Sequence, residues 1–122
     1  MVSQALVKDF EAMLGKENVF SSEADRQSYS YDSAVLQPVV PALVVRPTTT
    51  EQLGQCVKKL YDNGIPMTVL GACSNLSVGT IPDKTKTVVI LTNGLTRILE
   101  INTADLYAVV EPGVVTADLA NA

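Results

Sequence analysis

The 122-residue chain contains no histidine and no tryptophan, and its only aromatic residues are four tyrosines and two phenylalanines. Without imidazole, Ser-His-Asp and Cys-His catalysis and every metal site that uses histidine are excluded. Few aromatic side chains argue against a platform on which nucleic-acid bases stack. Nine basic residues against thirteen acidic ones give a net charge of −4. We therefore expect no nucleic-acid partner, because neutralising phosphates requires clustered cations.

The chain also lacks the long apolar runs of membrane proteins and has only two cysteines, Cys56 and Cys73. No apolar run approaches the ~20 residues that cross a bilayer, and no basic segment precedes an apolar stretch as in a secretory signal. Two thiols do not complete a zinc site, so we expect no metal. We predict a cytoplasmic protein whose thiols are reduced. Hydrophobic residues make up 47% of the chain, which is typical of a folded domain.

Two short helices are predicted in the first 37 residues. Apolar side chains recur at helical spacing and predict a helix over 3–14 that ends at Gly15. They are Leu6, Phe10, Met13 and Leu14. Ser22 starts a second helix, with Asp25 as the capping acid. Closely spaced prolines follow at 38 and 41, so we place a boundary near residue 37 between an N-terminal helical arm, 1–37, and a domain that begins at residue 38.

Residues 38–122 read as strand, helix, strand and further strands, which is an α/β pattern. A continuous apolar run predicts a buried parallel strand at 42–45, and two further parallel strands are predicted at 67–70 and 87–91. Thr48 and Glu51 fit a capping box for a helix that runs to about Asn63. The predicted apolar face of this helix comprises Leu53, Cys56, Val57, Leu60 and Tyr61. The core of the domain is therefore predicted to be a βαβ unit with a third strand.

The last third of the chain predicts a pair of antiparallel strands, 97–101 and 107–111, followed by a helix that Thr116 caps. The sequence stops about a turn and a half into that helix, and so short a helix is unstable alone. We expect the chain to be the first part of a longer, truncated domain. Unpaired strands and exposed apolar surface then predict self-association.

The segment Gly71–Gly79 follows the carboxyl end of a predicted parallel strand, where open α/β sheets bind ligands. Small residues let the backbone approach a ligand closely, and consecutive N–H groups with Ser74, Asn75 and Ser77 provide neutral donors for a diphosphate. The segment matches neither a Walker loop nor a Rossmann G-x-G-x-x-G. A surface loop rich in turn-forming residues is the alternative that the pattern leaves open.

Several ordered segments resemble one family of flavoproteins. They are YDS at 31–33, PALVVRPTTTEQL at 41–53, NGIP at 63–66, GACSNLS at 71–77, NGLTRILEI at 93–101 and YAVVEPGV at 107–114. Their order and spacing are similar to those of FAD-binding domains of the vanillyl-alcohol oxidase/p-cresol methylhydroxylase (PCMH) type. Within that type they most resemble the glycolate oxidase and FAD-linked D-lactate dehydrogenase branch. Residues 38–122 would be the first part of such a domain.

The resemblance implies a first subdomain of three parallel strands with helices and the start of an antiparallel second subdomain. It also implies that backbone amides of the loop after the second parallel strand hold the FAD diphosphate, with a later turn near the adenosine half. The implied cofactor-binding residues are Leu70, Gly71, Ala72, Cys73, Ser74, Asn75, Leu76 and Ser77 in the loop, and Pro112, Gly113 and Val114 in the turn.

The family implies a flavin-dependent oxidoreductase that oxidises a small 2-hydroxy acid of the glycolate or D-lactate type. Its implied partners are FAD, the remainder of the flavoenzyme and a separate electron acceptor. We assign no catalytic residue to this chain and expect it to be inactive alone. The alternative is a non-enzymatic α/β interaction or scaffold module with a degenerate flavin site, because Leu70, Cys73 and Val78 stand where the family usually has Arg, Gly and Gly.

The remaining polar and reactive residues are interpreted structurally. Glu111 and Asp105 are predicted to be solvated or to cap turns, and Arg97 to be a surface charge. Cys73 is read as an inert replacement for glycine, with a reactive thiol as the alternative, and Cys56 as a core residue. The cluster of Tyr29, Tyr31 and Asp32 is predicted to dock the N-terminal arm.

Overall fold

The computed structural model describes residues 2–31, 37–72, 79, 81–82 and 86–122. These residues form a mixed α/β structure, as predicted, with one four-stranded sheet and one separate two-stranded sheet. The helices are α1 (Gln4–Leu14), α2 (Glu23–Gln27), α3 (Thr50–Asp62) and α4 (Thr116–Ala120), with one 3-10 turn at Lys16–Asn18. The strands are β1 (Val19–Phe20), β2 (Leu43–Val45), β3 (Met67–Leu70), β4 (Val88–Leu91), β5 (Ile98–Asn102) and β6 (Tyr107–Val110).

The four-stranded sheet has the order β1-β2-β4-β3, in which β2, β4 and β3 are parallel. The three predicted parallel strands are therefore confirmed. The strands joined by α3 are not neighbours, because β4 lies between them. All four residues of β4 are buried, as expected of a central strand covered on both faces.

The first strand of the sheet was not predicted. β1 comes from the N-terminal arm and pairs antiparallel with β2, so that Val19 lies opposite Val45. Its two residues are too few to show the alternation that marks a strand in sequence. The arm therefore supplies one edge of the sheet.

The parallel sheet separates two apolar clusters, because successive residues of a strand point to opposite faces. One face packs under α1 and α3, and the other packs against Phe20 and Tyr29. The first cluster contains Leu6, Val7, Phe10, Leu14, Val19, Leu43, Val45, Cys56, Leu60, Val88 and Ile90; the second contains Val44, Leu70, Val89 and Leu91. The N-terminal arm thus contributes to both faces of the core.

Helices α1 and α2 begin close to where the sequence predicts. The Ser3 hydroxyl accepts a hydrogen bond from the Leu6 amide at 3.2 Å, and α1 ends at Gly15, whose φ is +87°. The positive φ explains the glycine, because a side chain disfavours that conformation. Ser22 caps α2 by accepting from the Asp25 amide at 3.2 Å, as predicted.

The predicted capping box of α3 is wrong by one residue. The N-cap is Thr49, whose hydroxyl accepts from the Gln52 amide at 3.2 Å. The Gln52 side chain in turn accepts from the Thr48 amide at 2.9 Å. Three consecutive threonines, 48–50, carry the same capping group, so the sequence does not distinguish among them.

The predicted apolar face of α3 is too wide. Cys56 and Leu60 are fully buried, whereas Val57 is 40% exposed and Tyr61 is 78% exposed. Only the stripe at helical positions 53, 56 and 60 packs into the first cluster. Residues one position further round the helix point to solvent.

The last third of the chain forms the predicted antiparallel pair. β5 pairs with β6, and a bulge interrupts the register between Ile98 and Glu100. The prediction that Thr116 caps the last helix is wrong, because Val115 occupies the N-cap position without a side-chain hydrogen bond and Thr116 is the first helical residue. No helix in the described part of the chain is long and apolar enough to span a membrane.

Candidate functional site

A cleft of about 250 Å³ lies where the parallel strands β3 and β4 end. Its lining residues are Gly71, Ala72, Asn93, Pro112, Gly113, Val114, Val115 and Thr116. Because β3 and β4 are parallel neighbours, the segments that follow them leave the sheet at the same end, where the carboxyl ends of the strands lie. Open α/β sheets usually bind their ligands at this end. The segment after β6 closes the cleft from the other side.

The floor of the cleft is fixed by backbone pairing between the two strand exits. The Thr92 amide donates to the Leu70 carbonyl at 3.0 Å, and the buried Thr92 side chain lies beside it. A methyl group built on Gly71 would have Thr92 Oγ1 as its nearest neighbour, 3.8 Å away. Gly71 therefore leaves open space above the floor.

The segment after β6 forms the second wall of the cleft, and Gly113 holds it tightly against the segment that follows β4. The Gly113 amide donates to the Leu95 carbonyl at 2.8 Å. A β-carbon at this position would lie 2.6 Å from the Leu95 oxygen and would clash with the Thr92 carbonyl. Only glycine permits so close an approach of two backbones. The Pro112–Val114 turn consequently cannot shift away from the β4 exit without breaking this contact.

The base of that wall carries a buried carboxylate. Glu111 Oε1 accepts from Arg97 Nε and Nη2, at 2.9 and 2.7 Å, and Oε2 accepts from the Arg97 amide at 2.8 Å. The Arg97 side-chain hydrogen bond, the backbone hydrogen bond and the guanidinium charge together lower the pKa of Glu111 against the opposing effect of desolvation. The prediction of a solvated Glu111 is wrong, because this side chain is buried and its negative charge is paired with Arg97. Arg97 is exposed, as predicted, but it is held in this pair.

The described residues that line the cleft are uncharged. Pro112 has no N–H group, and the amides of Gly113 and Val114 donate to the Leu95 and Glu111 carbonyls. The polar groups available there are therefore the remaining backbone amides, the Asn93 side chain and the Thr116 hydroxyl. These groups suit an anion that is held by neutral donors. Among the described lining residues, none carries a carboxyl, amino or thiol group that could act as a general acid or base.

The cleft fits part of a dinucleotide. Its volume is below the 300–1,000 Å³ that is typical of sites enclosing a whole drug-sized ligand. Small residues on both walls let a phosphate or ribose reach the backbone, and none of the described lining residues carries a carboxylate that would repel it. The described residues are therefore suited to one segment of a molecule such as FAD.

Five of the eleven predicted cofactor-binding residues meet in this cleft: Gly71, Ala72, Pro112, Gly113 and Val114. Leu70 is buried in the second cluster and does not line the cleft. Cys73, Ser74, Asn75, Leu76 and Ser77 lie outside the described residues. The cofactor-binding role of all eleven stays a prediction.

Three lining residues were missed in the sequence: Asn93, Val115 and Thr116. Asn93 was included only as the first residue of the motif at 93–101. Its position just after a buried parallel strand is a signal that could have placed it at the ligand edge. Val115 and Thr116 directly follow the predicted turn at 112–114, so extending that turn by two residues would have included them.

The other interpreted residues lie away from the cleft. Tyr29 packs against the second cluster of the sheet, as predicted for docking of the arm, and its ring centroid lies 5.9 Å from that of Phe20, while Tyr31 is exposed. Cys56 is buried as predicted, and desolvation raises the pKa of its thiol to about 11. Asp32, like Cys73, lies outside the described residues.

Comparison with known proteins identifies the family of the chain. A family model for the FAD binding domain matches residues 41–122. The glycolate oxidase subunit GlcD of Bacillus subtilis is 30% identical over 122 residues, covering 100% of this chain and 26% of that protein. An uncharacterized FAD-linked oxidoreductase of Mycobacterium tuberculosis is 32% identical over 111 residues, covering 90% of this chain and 24% of that protein. The chain thus spans about a quarter of the length of these relatives.

Solved structures show the same fold. The structure of p-cresol methylhydroxylase with substrate bound superposes with a TM-score of 0.85 at 25% identity, over 98% of this chain and 25% of that one. Alkyldihydroxyacetonephosphate synthase gives a TM-score of 0.87 at 15% identity, over 99% of this chain and 24% of that one, which shows likeness of fold alone. The resemblance predicted from the ordered motifs is confirmed, and the chain belongs to the FAD binding domain family with the PCMH-type fold.

Proposed function

We propose that this chain is the first part of the FAD-binding domain of a flavin-dependent oxidoreductase that oxidises a small 2-hydroxy acid, of the glycolate or D-lactate type. The observation that carries the substrate class is the 30% identity to a glycolate oxidase subunit over the whole chain. FAD would supply a two-electron acceptor for the substrate, and a separate acceptor would then take the electrons. The chain itself contributes binding and orientation.

Within this proposal the two walls of the cleft divide the cofactor between them. Gly71 and Ala72, with the loop that continues to Ser77, hold the diphosphate through backbone amides. Pro112, Gly113 and Val114 lie against the adenosine half. The juxtaposition of these two segments across one small, uncharged cleft supports the assignment. The closely packed Gly113 keeps the distance between the walls fixed.

The cofactor assignment is tested by titrating FAD into the 122-residue chain and following flavin fluorescence. Ala72→Asp places a negative charge on the wall that is assigned to the diphosphate. At about 1 kcal/mol for a pair of charges near 4 Å in water, the dissociation constant should rise at least about fivefold. Ala24→Asp, the same substitution in the exposed helix α2, should leave it unchanged. Equal effects of the two variants would contradict the assignment.

The substrate class is tested on the longer gene product that carries this chain. We expect glycolate or D-lactate to bleach the flavin absorbance anaerobically. The flavoprotein subunit of 4-cresol dehydrogenase from Pseudomonas putida is 29% identical over 114 residues, so 4-cresol is the appropriate competing substrate. Reduction by 4-cresol and by neither hydroxy acid would refute the substrate class while leaving FAD binding intact.

A further inference from the structure

The Asn93 side chain is presented to the cleft by a turn that comes just after β4. The Leu95 amide closes this turn by donating to the Thr92 carbonyl at 2.9 Å. Asn93 thus occupies the second position of the turn and Gly94 the third. The Thr92 amide also donates to the Leu70 carbonyl at 3.0 Å. The start of the turn is therefore fixed to the exit of β3.

Two glycine contacts hold the same turn from other sides. A β-carbon at Gly94 would lie 2.6 Å from the Pro47 carbonyl oxygen, so the turn packs directly on the segment that follows β2. A β-carbon at Gly113 would lie 3.0 Å from Asn93 Cα, so the turn also packs on the wall that contains 112–114. The backbone of Asn93 is therefore held in place before any ligand binds, and a polar group held in this way loses little entropy on binding.

The Asn93 side chain is also available to a ligand. It is exposed in the cleft, and it makes no hydrogen bond to any residue that the structure describes. Its carboxamide carries a donor and an acceptor next to each other. The neighbouring wall is apolar at Pro112, Val114 and Val115. This combination suits a flat ring that presents a donor and an acceptor on one edge, whereas a phosphate offers acceptors only.

Adenine is the part of FAD that has both this edge and a suitable size. Its 6-amino group is a donor and its N7 is an acceptor, and an asparagine carboxamide binds both at once. The isoalloxazine system has three fused rings, and a cleft of about 250 Å³ suits the smaller two-ring purine better. The chemistry and the volume of the cleft therefore both favour the base of the adenosine half.

We propose that Asn93 determines the base of the cofactor, because its carboxamide binds the 6-amino group and N7 of adenine. This inference rests on the proposed function, in which the wall that contains 112–114 lies against the adenosine half of FAD. Pro112 and Val114 then provide apolar contact for the purine ring, and the amides of Gly71 and Ala72 remain for the diphosphate. Asn93 is thus a specificity-determining residue for the cofactor and has no part in the oxidation of the substrate.

The base preference is tested by titrating the 122-residue chain with FAD and with flavin hypoxanthine dinucleotide, and following flavin fluorescence. The second cofactor carries a 6-oxo group, an acceptor, in place of the 6-amino donor. We expect FAD to bind about 5 to 100 times more tightly, as is typical when a bidentate pair discriminates between bases. Asn93→Leu, of similar size, should make the two dissociation constants equal. Thr116→Val removes the other polar side chain of the described lining and should leave their ratio unchanged.

A reversal of the preference provides a test that misfolding cannot imitate. A lysine ammonium donates to both O6 and N7 of a 6-oxopurine, so Asn93→Lys should bind flavin hypoxanthine dinucleotide more tightly than FAD. Equal affinities of the unaltered chain for the two cofactors would overturn the inference and leave FAD binding intact. A preference for FAD that survives in Asn93→Leu or in Asn93→Lys would overturn it in the same way. Failure of the chain to bind FAD at all would instead overturn the cofactor assignment on which the inference rests.

Discussion

The ion pair between Glu111 and Arg97 stabilises the base of the wall that contains the 112–114 turn. Hydrogen bonds from the Arg97 side chain, then from the Arg97 amide, lower the pKa of the Glu111 carboxyl in the folded chain. An unfolded glutamate titrates near pH 4.3. Because the folded-state pKa is the lower one, the unfolded chain binds the proton first, so this stabilisation is present above about pH 5 and is lost as the pH falls through the folded-state pKa.

We predict that Glu111→Gln flattens the acid limb of the stability curve. Thermal unfolding followed by circular dichroism between pH 7 and pH 3 should show a smaller decrease in melting temperature for this variant than for the unaltered chain. Its melting temperature at pH 7 should already be lower, because the ion pair with Arg97 is lost. Glu23→Gln, which removes an exposed carboxylate from α2, should keep the original slope. An unchanged slope in Glu111→Gln would contradict the role of the pair.

In helix α3, the direction in which a side chain points decides whether it stabilises the fold. Leu60 is fully buried in the first cluster, while its neighbour Tyr61 is 78% exposed. We predict that Leu60→Ala lowers the free energy of unfolding by about 2–5 kcal/mol, because it leaves a cavity in a packed core. Tyr61→Ala should change it by about 0.5 kcal/mol or less. Urea denaturation of the two variants measures both; similar losses would contradict the observed face.

The same helix shows what the sequence can predict at the level of elements. Apolar runs located the three parallel strands, of which β2 and β4 are buried throughout, whereas β3 lies at the edge of the sheet and buries only Leu70. The face of α3 was predicted too wide because apolar residues at 53, 56, 57, 60 and 61 all fit helical spacing. Only packing against α1 and the sheet selects among them. The two-residue β1 left no periodic signal at all.

Part of the cleft was also predictable from the sequence. Its first wall follows a parallel strand, and that position alone indicates a ligand site. Its second wall lies about forty residues further along the chain. Pro112, Gly113 and Val114 were predicted only through resemblance to a family, and Val115 and Thr116 were not predicted. The backbone contact of Gly113 with Leu95 brings these segments together, and no local pattern in the sequence indicates that contact.

For the molecule as a whole, the N-terminal arm and the sheet form one core. Leu6, Phe10 and Leu14 of α1 lie in the same cluster as the strands β2 and β4, and β1 pairs with β2. The boundary near residue 37 and the family match from residue 41 would also fit a unit of residues 38–122 that folds without the arm. The packing argues against it, because removal of the arm would uncover one face of a parallel sheet, and such sheets are stable only when both faces are covered.

We therefore predict that a chain of residues 38–122 does not fold by itself. It should show no cooperative thermal transition by circular dichroism and poor dispersion of amide signals in NMR spectra, whereas the 122-residue chain should show a cooperative transition and well-dispersed signals. Phe10→Ala in the full chain should act in the same direction and lower the free energy of unfolding by about 3–5 kcal/mol, since Phe10 is fully buried between α1 and the sheet. A cooperative transition in 38–122 would instead show that β2, β3, β4 and α3 suffice, and that the arm is an addition to a complete domain.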